Sequence, residues 1–261
     1  MPLRSCQPRS ILRAVFVLGA ALAASSPAIA LVGGAPALQG AQPTVMIVGS
    51  RGNSCTGVAI ARDLVLTAAH CVPSGADYKL VEFDAQRQPR LRDAQSVARH
   101  PQFSQKTFDN HRATADVALI KFAASVSGAP ASVHAERLGI APGDTLRVLG
   151  YGLTQIGNGK SGGTLRSATL TVTGQPGNLQ IRLMDPATRN ERAGLGACTG
   201  DSGAPVFRDI GGRAKVVGVV SWSTGAGNEA GCGGLTGVTP ISLYYPWIAE
   251  TAKKLGSALA P

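Results

Sequence analysis

Beyond its first thirty residues the chain is a succession of short apolar and β-branched runs separated by polar turns. Thr44 to Ser50 is the first run, and Arg51-Gly52-Asn53 supplies a turn before the second at Thr56 to Ile60. Leu64-Val65-Leu66-Thr67 follows and leads into Ala68-Ala69-His70-Cys71. Tyr78 to Phe83 alternates weakly, and Val117 to Phe122 is an apolar run beginning just after Asp116. The stretch from Asp84 to Ala115 is polar and reads as long surface loops, and the Pro/Ala/Gly-rich passage around Ala129 to Gly143 reads as a connector. Runs resume at Thr145 to Leu149, Thr164 to Thr173, Leu179 to Met184, Pro205 to Arg208, Lys215 to Trp222 and Leu235 to Thr239. Many short runs with Gly-rich turns and no βαβ alternation predict an all-β sandwich or barrel. One helix is expected, at the end of the chain. Pro246 suits a first turn, Ile248, Ala252 and Leu255 recur at helical spacing, and Lys253, Lys254 and Gly256 close it.

The first thirty residues have a different pattern. Arg4, Arg9 and Arg13 precede an apolar run from Ala14 to Ala24, and Pro27-Ala28-Ile29-Ala30 ends in small-x-small. That is the form of a cleaved secretory signal, and the run is shorter than the ~20 apolar residues a spanning helix needs. Residues 1–30 are therefore expected to be removed, which places the protein outside the cell or in a periplasm, with no membrane anchor left behind.

Composition then narrows the partners. Of 25 basic residues three lie in the leader, which leaves 22 against 15 acidic ones, a balance near +7. The arginines are scattered, with only a loose group at Arg87, Arg90 and Arg92 and no interleaved aromatics. This argues against specific nucleic-acid binding and for solubility or weak affinity for anionic surfaces. Four cysteines remain after the leader: Cys55, Cys71, Cys198 and Cys232. An even count in an exported chain suggests two disulfides, with three connectivities open. No cysteine pair has the close spacing of a zinc site, and Asp77, Glu82 and Asp84 fit no cation loop, so neither metal nor cofactor is expected.

Three stretches carry reactive groups. His70 sits at the end of an apolar run, Asp116 opens Asp116-Val117-Ala118-Leu119-Ile120, and Ser202 lies in Gly200-Asp201-Ser202-Gly203-Ala204-Pro205. Singly, each has a plainer role: a structural histidine, a turn-capping aspartate, a polar loop. Together they are one candidate for each part of an activated serine. A hydroxyl needs a neutral imidazole to take its proton, and that imidazole needs a carboxylate to orient it.

These three blocks, in this order, resemble the signatures of the trypsin/chymotrypsin-like serine peptidases. Leu31-Val32-Gly33-Gly34 is similar to the family's mature amino terminus, and Gly150-Tyr151-Gly152, Ser221-Trp222 and Pro246-Trp247-Ile248 match further landmarks. The resemblance spans the chain after the leader. It implies two six-stranded antiparallel β-barrels with the active site between them and a C-terminal α-helix. The N-terminal barrel would occupy about 31–135, the C-terminal barrel about 136–243 and the helix about 244–255, as one peptidase domain over 31–261. It further implies His70 as general base and acid, Asp116 as its orienter, Ser202 as nucleophile, and the Gly200 and Ser202 amides as an oxyanion hole. Ser221, Trp222 and Ser223 would pair with the substrate backbone, and the disulfides would be Cys55–Cys71 and Cys198–Cys232, the sparer bacterial-type set.

At the pocket floor the resemblance places Gly196, followed by Ala197, where trypsin-type members carry Asp. An uncharged pocket accepting apolar or small side chains is expected, with Gly237 at an open wall position and Ser223 narrowing the entrance. Glu229 reads as a solvated loop carboxylate. The resemblance also pairs a freed amino terminus with the aspartate before the nucleophile, here Leu31 with Asp201, so export processing would itself activate the enzyme. The expected protein is a monomeric secreted serine endopeptidase acting on proteins or peptides, with macromolecular inhibitors as candidate partners. The competing expectation is an inactive homologue that uses the fold as a secreted binding module.

Overall fold

The computed structural model describes Met1 and residues 31–37, 43–83, 88–174 and 178–261. Residues 2–30 of the expected leader and the positions of Asp84 and Arg87 lie outside the described residues. The first group of strands is β1 (Ala35–Pro36), β2 (Thr44–Gly49), β3 (Ser54–Ala61), β4 (Leu64–Thr67), β5 (Tyr78–Phe83), β6 (Pro89–Arg99) and β7 (Ala118–Phe122). The second is β8 (Thr145–Gly150), β9 (Arg166–Gly174), β10 (Ile181–Met184), β11 (Pro205–Ile210), β12 (Arg213–Ser223) and β13 (Thr236–Pro240). Strands β2-β3-β4-β7-β6-β5 close into one antiparallel barrel. Strands β8-β9-β10-β13-β12-β11 close into a second, with β1 added alongside β9. The expected pair of six-stranded barrels is present.

Several strands read as unbroken apolar runs because both of their faces are buried. In β4, Val65 points into the first barrel while Leu64 and Leu66 join a layer shared by the two barrels. In β7 the same period of two sends Ala118 and Ile120 inward and Leu119 into the shared layer. The second barrel repeats the device: Leu146 and Val148 of β8 fill its interior, and Leu149 meets the shared layer. The site is built on top of this layer.

The stretch expected as surface loops is in part a strand. β6 is an eleven-residue member of the first barrel, paired with β5 and β7. Its side chains are mostly exposed or half-buried, so ladder hydrogen bonds hold it and no apolar pattern announces it. A short helix, α1 (Gln105–Asp109), follows, with Ser104 Oγ accepting from the Thr107 amide at its start. The terminal helix, α2 (Tyr245–Lys254), falls where its pattern indicated, with Ile248 and Ala252 buried.

After α2 the chain returns to the first barrel. Ala260 donates to the Ile60 carbonyl at 2.9 Å, and Lys121 Nζ reaches both Asp63 Oδ2 at 2.6 Å and Ser257 Oγ at 2.8 Å. Burial pushes the Asp63 carboxyl up, but hydrogen bonds from Lys121 and Ser257 outweigh it and hold the group below its ordinary value. This tail fastens the end of the second barrel to the first.

Candidate active site

His70 lies in a single helical turn, Ala69–Cys71, directly after β4. Asp116 stands two residues before β7, and β4 and β7 are paired, so ladder geometry brings the two side chains together. Asp116 is 1% exposed. Its Oδ1 accepts from the His70 backbone amide at 2.9 Å, and its Oδ2 lies 2.8 Å from His70 Nδ1. A carboxylate at Nδ1 holds the imidazole proton there and leaves Nε2 as the acceptor. The Ser221 hydroxyl donates to the same Oδ2 at 2.6 Å. Ser221 was expected for its backbone alone; its side chain supplies a further contact to Asp116 that the motif does not reveal.

Ser202 is strapped to the first barrel from the other side. Its carbonyl accepts from the Thr56 amide at 2.8 Å, and Thr56 Oγ donates to the Gly200 carbonyl at 2.8 Å while accepting from the Tyr151 amide at 3.1 Å. A Cβ on Gly203 would come within 2.9 Å of the Ala68 nitrogen, so the Ser202 loop lies directly against the chain leading to His70. Thr56 adjoins Cys55, whose sulfur is bonded to Cys71, next to His70. The second disulfide, Cys198–Cys232, ties the Ser202 loop to the loop before β13. Both pairings match those the resemblance implied. Cys55, His70 and Cys71 are the one three-residue group of metal-ligand type among the described residues, and the disulfide between the two sulfurs takes both out of metal binding.

Among the described residues no hydrogen bond joins Ser202 Oγ to His70 Nε2. In substrate-free enzymes such contacts are commonly long and tighten with substrate. Neither the Gly200 nor the Ser202 amide donates to a protein group among the described residues. Gly200 has φ +94°, a conformation glycine adopts freely, and its carbonyl is held away by Thr56. Two unspent amide donors therefore sit on either side of Asp201, one of them belonging to Ser202.

Asp201 itself is fully buried. Its Oδ1 accepts from the Gly152 amide and its Oδ2 from the Cys198 amide, both at 2.9 Å, and no cation pairs with it among the described residues. Burial pushes its carboxyl up to about 7 against the pull of these two amides. Leu31 is buried in the same apolar cluster as Ala197 and Ala204, and Val32 forms an antiparallel bridge with Gly196. The segment beginning at Leu31 thus runs beside the Asp201 loop.

The expected pocket residues gather on β12, β13 and the 196–202 segment. Gly196 packs against the Gly233 backbone, and the Ala197 amide donates to Thr236 Oγ at 3.0 Å. Gly237 does not face open space: Trp222, its partner across the strands, folds its indole over it. Two site features were invisible to motif reading. Phe108 of α1 stacks on the His70 ring at 4.4 Å and 16°, and Tyr244 lies near Asp116, its phenol pushed up first by burial and second by the Asp116 charge.

Comparison with known proteins gives the family. The trypsin family model matches residues 31–248. A vitellin-degrading protease of Bombyx mori is 30% identical, the match covering 94% of this chain and 96% of that protein. Neutrophil elastase of Mus musculus is 31% identical over 92% of this chain and 87% of its own length, and serine protease 1 of Canis lupus familiaris 26% over 85% and 89%. The chain belongs to the trypsin family and is a serine-type endopeptidase.

Proposed function

We propose that His70, Asp116 and Ser202 hydrolyse peptide bonds through an acyl-enzyme. Ser202 Oγ attacks the carbonyl carbon as its proton passes to His70 Nε2. The Gly200 and Ser202 amides receive the oxyanion, each donor worth ~3 kcal/mol in the transition state. Collapse breaks the C–N bond, and His70 returns the proton to the departing amine. Water repeats the sequence on the ester and restores Ser202. Support comes above all from one observation: a buried Asp116 whose oxygens engage both His70 Nδ1 and the His70 amide.

The substrate strand belongs on β12. β11 covers one edge of β12 only as far as Val219, and the turn at Gly203 and Ala204 covers Val220. From Ser221 to Ser223, β12 pairs with β13 alone among the described residues. An extended peptide added there gains main-chain hydrogen bonds and passes Ser202. With Gly196 and Ala197 uncharged, the primary pocket takes small or apolar side chains, and Ser223 narrows its entrance.

Export with removal of residues 1–30 completes the proposal, in a single domain whose barrels occupy about 31–135 and 136–243. The freed Leu31 ammonium then neutralises Asp201. Fluorophosphonate labelling of the exported protein, with Ser202→Ala as control, tests the chemistry: labelling lost in the variant supports it, and no labelling of either favours a binding module. Amino-terminal sequencing of labelled protein should begin at Leu31; a start well downstream overturns the activation step.

A further inference from the structure

Arg182, Gly237 and Trp222 stand in one row across three neighbouring strands, β10, β13 and β12. Side chains in such a row project from the same face of the sheet. The middle member has none, and a Cβ there would lie 1.9 Å from the Trp222 indole, so the ring occupies that gap. It thereby reaches towards β10, where the Arg182 guanidinium lies over it at 5.9 Å from the ring centroid. Arg182 is exposed and forms no ion pair with a carboxylate among the described residues. Its neighbours on β10, Ile181 and Leu183, are fully buried in the barrel, so Arg182 is there for the outer surface.

We infer that Arg182 is a specificity-determining residue that favours substrates with an acidic side chain, glutamate above all, in the segment preceding the cut bond. The inference rests on the proposal that substrate lies along Ser221–Ser223. A strand added there is three inter-strand steps from β10, about 14 Å at the usual spacing. Neither a substrate carboxylate nor a lone arginine on β10 spans that distance alone, but the guanidinium lies over the Trp222 ring and so projects from β10 toward β12. A cation–π contact of this kind restrains the guanidinium without using its N–H groups, which can then take a carboxylate. The longer glutamate reaches it across the indole better than aspartate. The general positive charge of the chain would attract acidic substrates without regard to position; Arg182 attracts them at one place.

The test uses the mature enzyme and fluorogenic peptides that are otherwise uncharged and carry Glu, Gln or Lys at each of the second to fourth residues before the cut bond. At one of these positions the Glu-to-Gln ratio of kcat/KM should be about three to five at low salt, the size of an exposed charge pair, and should fall as salt is raised. Arg182→Gln should bring that ratio to about one, Arg182→Glu should invert it towards the Lys peptide, and Arg182→Lys should keep part of it. Arg213→Gln, which removes the same charge at the far end of β12, should leave the ratio where it was. A ratio near one in the unaltered enzyme at all three positions overturns the inference, as does a ratio that Arg182→Gln and Arg213→Gln lower equally. Failure to hydrolyse any peptide, with Ser202 unlabelled by fluorophosphonate, overturns the reading beneath it as well.

Discussion

Asp116 and Asp201 are both buried, yet their surroundings are completed to different degrees. Asp116 accepts three hydrogen bonds, from the His70 amide, from His70 Nδ1 and from the Ser221 hydroxyl, all supplied by the folded chain. Asp201 accepts two amides, and burial pushes its carboxyl up to about 7. The first site needs nothing more than the fold. The second holds a carboxylate that is costly to ionise and lies beside the segment beginning at Leu31, which is where an ammonium created by processing would be delivered. Both aspartates are buried, and on the activation proposed above what Asp201 lacks is a charge, which processing would supply.

The largest expected effect falls on the completed side. Asp116→Asn presents an N–H where His70 Nδ1–H needs an acceptor, so the imidazole is held in the wrong tautomer. kcat should drop by about 10⁴, read on any peptide the unaltered enzyme cleaves. A loss below tenfold would mean that Asp116 does not orient His70. On the other side, under the proposed pairing of Leu31 with Asp201, Asp201→Asn in the processed enzyme would leave a buried ammonium without its partner, a defect of about 3–5 kcal/mol. That should appear as a fall of two or more orders of magnitude in kcat/KM, together with weaker fluorophosphonate labelling. Equal activity in the variant would separate Asp201 from activation altogether.

The comparison is sharpened by pH. In a form that keeps residues ahead of Leu31, the Asp201 carboxyl has a folded value of about 7 against 3.8 for the ordinary side chain. Between those values the folded chain holds a proton that the unfolded chain has lost, so stability falls as pH rises and levels off above about 7. The full difference is on the order of 4 kcal/mol. Urea unfolding from pH 4 to 8 should show this decline in the extended form and neither in its Asp201→Asn variant nor in the processed enzyme. The same slope in all three would remove Leu31 from the account.

How much of this was legible follows from where each signal resides. The blocks around His70, Asp116 and Ser202 are local in sequence, and β4 and β7 announce themselves because both their faces are buried. β6 does not, since Pro89–Arg99 is held by ladders on both sides and presents mostly polar side chains to water. The strap formed by Asp63, Lys121 and Ser257 joins residues as far as 194 positions apart, so no window of sequence contains it. At Gly237, where the resemblance implies an open wall position, the side chain of the cross-strand partner Trp222 fills the space. Local chemistry was readable, and contacts made only by closing the barrels were not.

Phe108 belongs to that second group and gives the smallest and most local test. Its ring stacks on His70 nearly parallel, at 4.4 Å, from a five-residue helix that no apolar pattern predicted. The contact covers one face of the imidazole and limits its tilt, so it acts on orientation. An aromatic pair of this kind contributes about 0.5–1.5 kcal/mol. Phe108→Ala should therefore lower kcat by about two- to tenfold through a looser His70, while Phe108→Tyr keeps the stacking ring and most of the rate. The double variant Asp116→Asn/Phe108→Ala should lose less free energy of activation than the sum of the two separate losses, as expected for two groups that position one ring. Full additivity would place Phe108 outside the orientation of His70 and leave its stacking a matter of packing.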